Sequence, residues 1–300
     1  MVRVSAWTAM TMLVVAIGLT APAAAQPPKV LHLGVLSGMF RDIPPPLIHA
    51  AAVPFRDLLK RQTGLDGEVE VVADHEEQAA RLQAKKLHIG VFHGFEWAWV
   101  KDRHPDLIPL AVSVPARKFQ AALVVKADSK ARVPADLKGN VAVPLGTKAH
   151  CYLFVERLAE TLPAGTCVAT HMPKNGPEEV IDLILDGKEQ AAVMDVASLA
   201  AFQNSQPGRA AQLRVLTQSD PFPYTTVVYR KDAISAEMAG KIKAGLLNTK
   251  NEASGKAFLF LWRLKGFEEL PAGHDAELRA VTAKYPPPPR PAMGMMANPE

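Results

Sequence analysis

Four short segments carry the residue types that could hold a small charged molecule. In His93-Gly94-Phe95-Glu96-Trp97 an imidazole and a carboxylate stand three residues apart, in a run dense in aromatics that also includes Phe92 and Trp99. Aromatic rings on a loop at strand ends can wall a pocket, with His93, Phe95, Glu96 and Trp97 touching the ligand. Gly146-Thr147-Lys148-Ala149-His150 directly precedes an amphipathic stretch, 151–162. A helix starting there would offer unpaired N–H groups and a partial positive charge to an anion, and Lys148 and His150 would strengthen that pull. Thr147 and Ala149 complete this candidate loop. His171 and Asp195 each end an apolar run, where Asp195 could accept from a ligand amine or hydroxyl. The segment 37–41 would close the remaining wall, with Met39 and Phe40 packing on the ligand and Arg41 pairing with an anion.

Each segment also has a plainer reading. Thr147 caps a helix while Lys148 is solvated, Phe92 and Trp99 are core, Asp195 is the N-cap of helical residues 196–202, and 37–41 is an ordinary loop. His93, Glu96, His150, Cys151, His171 and Asp195 could alternatively converge on a metal such as zinc, although no pair has a compact spacing such as H-x-x-x-H. Catalytic signatures are missing: there is no G-x-S-x-G, H-E-x-x-H, P-loop or G-x-G-x-x-G after the leader, and Cys151 beside His150 is only adjacency in sequence. The expectation is a binding protein that needs no cofactor, not an enzyme.

The elements that must position these segments follow from hydropathy. Short apolar runs (30–36, 68–73, 87–92, 107–114, 119–126, 141–145, 167–172 and 190–194) alternate with amphipathic stretches, the pattern of a sheet covered by helices. The candidate residues fall at the C-terminal ends of these runs, where ligands collect in open α/β sheets. Further strands are expected at 213–216 and 225–230, flanking Ser219-Asp220-Pro221-Phe222-Pro223, and helices at 236–247, 254–261 and 275–284. This α/β order suggests one lobe that is left once and re-entered. Lobe 1 would comprise 27–116 plus 222–284 and lobe 2 117–221, with hinge crossings near Phe119 and at 221–225.

The ends and the composition bound the rest. Residues 1–25 carry one charge, Arg3, then the apolar run 10–19 and an A-x-A site ending at Ala25, the form of a secretory signal peptide. Its removal leaves no lipobox cysteine and a formal charge of about +3, which argues neither for nucleic acid nor for membrane adsorption. A monomer in the periplasm is expected. Cys151 and Cys167 would lie at opposite ends of a helix about 15 Å long, which favours two free thiols over a bridge. Residues 285–300, YPPPPRPAMGMMANPE, read as a disordered tail.

Four segments together resemble the phosphonate-type solute-binding proteins of ABC importers. They are LHIGVFHGFEWAWV, LVVKADSKARVPADLKGNVAVPLGTKAHCYLFVERL, GPEEVIDLILDGKEQAAVMDVASL and LRVLTQSDPFPYTTVVYRKD, and their order and spacing carry the likeness. The resemblance implies the type II periplasmic-binding-protein fold, each lobe a mostly parallel sheet flanked by helices. It also implies a small oxyanionic ligand (phosphate-, phosphite- or phosphonate-like) between the lobes, hinge closure and an inner-membrane ABC permease as partner. One departure stands out. The loop before the helix is rich in Ser and Thr in family members that bind phosphonate, and here it is GTKAH, with one hydroxyl residue.

Overall fold

A computed structural model describes residues 29–40, 45–163, 166–172 and 174–288. The expected signal peptide, Arg41 and residues 289–300 lie outside the described residues. Along the chain the first elements are β1 (Val30–Leu36), α1 (Pro45–Thr63), β2 (Asp66–Val72), α2 (His75–Gln83), β3 (Ile89–Phe92), α3 (Gly94–Val100) and β4 (Leu107–Pro115). Then come β5 (Ala121–Lys126), β6 (Gly139–Pro144), α4 (Ala149–Thr161), β7 (Cys167–Met172), α5 (Pro177–Leu185), β8 (Ala191–Asp195), α6 (Val196–Ser205), α7 (Pro207–Ala210) and β9 (Leu213–Gln218). The chain finishes with β10 (Thr226–Arg230), α8 (Ala236–Asn248), α9 (Ala253–Leu261), β11 (Leu264–Glu268) and α10 (His274–Lys284). No helix among the described residues is long and apolar enough to cross a membrane.

Two sheets form. The first runs β11-β4-β10-β3-β1-β2 and the second β7-β6-β8-β5-β9. Their composition refines the expectation of mostly parallel sheets. β1 pairs parallel with β2 and β3, and β6 with β7 and β8, while β10 and β5 join them antiparallel. The strands read as continuous apolar runs because both faces are covered: β5 and β8 are buried throughout except for Lys126. β11 is an addition to the expected elements, pairing antiparallel with β4 at the sheet edge. On one face of the first sheet, Leu31, Leu33 and Ile89 pack with Phe55, Ile242 and Phe258 of α1, α8 and α9. On the other, a single apolar cluster runs from Leu36, Phe92 and Val100 through Phe222 to Leu123, Val143 and Phe154, and so joins the two sheets.

The chain passes between the sheets at 116–120 and again at 219–225. These two crossings are tied to each other: Phe222 N–H donates to Phe119 C=O, Ser219 N–H to Ala121 C=O (both 2.8 Å), and Ala121 N–H to Ser219 Oγ at 3.0 Å. Gly94, the first residue of α3, lets the second crossing approach. A Cβ there would stand 2.4 Å from Pro223 O, far inside contact distance, so only glycine allows it.

Candidate functional site

The helix α4 begins at Ala149, two residues before the amphipathic stretch 151–162, so that Ala149 and His150 belong to its first turn, which is built by local chemistry. Gly146 turns with φ 73°, Thr147 Oγ1 donates back to Pro144 C=O at 2.7 Å, and Lys148 takes the N-cap position without a side-chain cap. Thr147 therefore braces the loop instead of capping the helix. Cys151 N–H turns back to Lys148 C=O at 3.0 Å, so the Ala149 and His150 amides are the ones the helix start leaves open at the positive end of its dipole.

Asp195, the last residue of β8, organises the loop. Its carboxylate accepts from Ser198 N–H at 3.1 Å as the N-cap of α6, from Lys148 Nζ at 2.9 Å, and faces His150 Nε2 at 3.1 Å. The cap weighed in the sequence forms, and the same carboxylate also holds two neighbouring side chains. Burial would by itself raise the Asp195 carboxyl, but the His150 hydrogen bond and the Lys148 charge outweigh it and hold it well below the usual carboxylate range. Burial pulls His150 down, against Asp195 and with help from Lys148 and His93. Asp195 is accordingly ionised and His150 a neutral imidazole donating its Nε2–H, with Lys148 supplying the balancing charge.

From the first sheet, the end of β3 faces this loop. His93 Nδ1 lies 2.6 Å from Glu96 Oε2, and its ring stacks on Phe95 at 5.2 Å. The turn Ser37–Phe40 after β1 stands beside it: a Cβ at Gly38 would sit 3.8 Å from His93 Cε1 and 3.9 Å from Ala149 Cβ. Gly38 and His93 of one sheet and Ala149 of the other thus meet at one point. A wall of rings backs it. His150 lies 5.5 Å from Phe119 and 5.6 Å from Phe222, and Phe222 is 5.9 Å from Phe95.

Not every sequence candidate reaches this point. Phe40 is a core residue, packed edge-on against Trp262 at 5.2 Å, because the short helical turn at Ser37–Phe40 points it into the layer beneath α9. Trp97 is buried against Phe92 in the apolar cluster. His171 turns away to Tyr152, with Nδ1 2.6 Å from the hydroxyl on an exposed face. The six-residue metal constellation is not assembled: among the described residues only His150, Cys151 and Asp195 bring donor atoms within 4.8 Å of one another. Cys151 is a free, buried thiol, pushed up by burial and by Asp195, which disfavours the thiolate a metal would need. The side chain of Cys167 lies outside the described residues. Gly38 lies in the segment 37–41 expected as a wall, whereas the rings of Phe119 and Phe222 beside His150 were read only as part of the crossings, although Pro-Phe-Pro at a crossing is a signal that could have singled out Phe222.

The sequence matches the family described as the periplasmic substrate-binding protein of the phosphonate ABC transporter over residues 38–273. No curated protein matches it. Among solved structures, XAC2383 from Xanthomonas citri bound to chloride superposes with a TM-score of 0.65 at 16% identity, covering 86% of this chain and 98% of that one. PhnD1 of Prochlorococcus marinus in complex with methylphosphonate gives 0.60 at 14%, covering 85% and 98%. A binding protein component of an ABC phosphonate transporter from Pseudomonas aeruginosa gives 0.58 at 18%, covering 85% of each chain. The fold is the type II periplasmic-binding-protein fold, and the chain belongs to the family of phosphonate ABC-transporter periplasmic substrate-binding proteins.

Proposed function

We propose that this protein is a periplasmic receptor that closes two lobes, 27–116 plus 222–284 and 117–221, on a small oxyanion and presents it to a membrane permease. It acts as a monomer and not as an enzyme. The observation that carries this reading is the meeting of Gly38 and His93 with the open amide end of α4 at Ala149. Contacts from both sides exist together only when the lobes are closed, so a ligand there favours closure. Lys148 is already balanced by Asp195, so the anion is held by first-turn N–H groups and the helix dipole rather than by a free cation. His93 stands on the facing lobe, its Nδ1 engaged by Glu96 and its ring edge turned to Gly38. Similar proteins bound to chloride, ATP and methylphosphonate support an anion as the ligand class, without fixing its size.

The test is calorimetric titration of the purified protein with phosphate, phosphite, methylphosphonate, methanesulfonate and zinc chloride. Saturable binding of at least one oxyanion at a stoichiometry of one supports the reading. Binding of zinc with no response to any anion would replace it with a metal site at His150, Cys151 and Asp195.

A further inference from the structure

The family match ends at residue 273, immediately before α10. The chain after that point is nonetheless built into the protein. Leu278 and Val281 of α10 are buried, and the helix packs on α3. The expectation that the chain is structureless from Tyr285 onward fails at its start, because Tyr285 is 4% exposed.

Four contacts carry this segment from one lobe to the other. Trp99 Nε1 of α3, in the first lobe, donates to Tyr285 C=O at 2.8 Å. The Tyr285 ring then lies 4.9 Å from Phe222 on the second crossing, and Lys284 Nζ pairs with Asp220 at 2.6 Å. Beyond it, Arg157 of α4, in the second lobe, donates from its guanidinium to Pro286 C=O. α4 is the helix whose first turn carries Lys148, Ala149 and His150. A hollow of about 440 Å³, open to the surface, borders the segment among Pro221, Pro223, Tyr224, Val281 and Tyr285. Consecutive prolines hold an extended conformation at little entropic cost and keep their carbonyls as acceptors, which suits a short stiff strap.

We propose that Tyr285–Pro286 is a third, non-covalent crossing between the lobes, a strap that holds α4 against α3 and biases the ligand-free protein toward closure. Opening must separate α3 from α4, and the Arg157 to Pro286 bond is the contact that spans them, so it breaks first. Removing it raises the open fraction without ligand. The inference shares the two-lobe arrangement with the proposed function but not the ligand, and its test uses none.

The experiment compares the full-length protein with Arg157→Met, with a chain ending at Tyr285 and with a chain ending at Pro288. Arg157→Met keeps the aliphatic stem, and the chain ending at Tyr285 keeps the ring on Phe222 but lacks the Pro286 acceptor. Amide hydrogen exchange is followed over 93–97 and 147–150, with small-angle scattering for shape. Charge-assisted bonds of this kind are worth enough to shift the open-to-closed ratio about tenfold. Exchange in both segments is therefore expected to quicken about tenfold in Arg157→Met and in the chain ending at Tyr285, and no further when the two are combined. The chain ending at Pro288 should behave as full length. Unchanged exchange in both variants overturns the proposal. So does a fall in melting temperature with exchange at the two segments no faster than elsewhere, since the strap would then only stabilise the fold.

Discussion

Replacing Asp195 by asparagine and by alanine separates the things that one carboxylate does. Asparagine is as good an N-cap as aspartate and keeps an oxygen for Ser198 N–H, while its amide nitrogen takes the Oδ1 place facing His150 Nε2, where the neutral ring accepts from it in its other tautomer. It loses the charge that assists the Lys148 bond and reverses the His150 bond. Because the Lys148 side chain is 43% exposed, its ammonium can return to water, so the cost should be about 1–2 kcal/mol. Alanine loses the cap as well, about 1 kcal/mol, and leaves the Nε2–H of His150, itself 3% exposed, without an acceptor, about 1–3 kcal/mol more. The alanine variant should therefore be about 3–6 kcal/mol less stable than the parent, and clearly below the asparagine variant. Urea unfolding followed by circular dichroism reads both as shifts in midpoint at constant slope. The parent should also have an acid limb that the asparagine variant lacks. The Asp195 carboxyl is depressed in the folded state, so its contribution is fully present above the unfolded value near pH 4 and is lost as pH falls further. Equal stability of the two variants, or an acid limb unchanged in Asp195→Asn, would refute these roles for the carboxylate.

Three further outcomes rest on the same geometry. Gly94→Ala should destabilise by about 1–3 kcal/mol and lower the melting temperature, because the new Cβ meets the Pro223 backbone and not a movable side-chain end. Phe40→Ala should cost about 3–5 kcal/mol in urea unfolding while leaving oxyanion affinity of the folded protein within about twofold, since the ring fills core beside Trp262. His150, His88 and His274 are all held below the usual imidazole value, chiefly by burial. Their unfolded forms take up protons first as pH drops. Stability should be fully developed above about pH 6.5 and fall below it, with a slope approaching about 1.4 kcal/mol per pH unit from His150. His150→Gln should flatten that slope as pH falls below about 6.5.

The legible parts of the fold were those whose signal is local. β5, β6 and β8 announce themselves as apolar runs because helices cover both faces, and Asp74 with Glu77 marks the start of α2 through the cap bond that forms, Glu77 N–H to Asp74 Oδ1 at 2.8 Å. β11 was not legible: Leu-Lys-Gly-Phe-Glu has only five residues, a glycine at φ 158°, and a partner strand about 150 residues earlier. The site divided in the same way. Lys148, Ala149, His150 and Asp195 could be singled out as candidates because strand ends and helix starts are readable, and His93 with Glu96 because they sit at one of them. Phe40 and Trp97 were misread because an aromatic residue at a strand end looks the same whether it faces ligand or core. What decides is a partner such as Trp262, far along the chain. Tyr285 was hidden by the prolines after it, whose composition reads as disorder although its ring is buried against Phe222.

The anion site is tested most directly by titrating the ¹⁵N-labelled protein with methylphosphonate and with inorganic phosphate while following its amide resonances. If the open end of α4 binds the anion, the largest saturable shifts fall on Ala149 and His150, with a coupled shift at Gly38 and His93 across the lobes. Saturable binding whose shifts cluster elsewhere, around the cavity at Pro221, Tyr224 and Val281 for instance, with Ala149 and His150 unmoved, would contradict it.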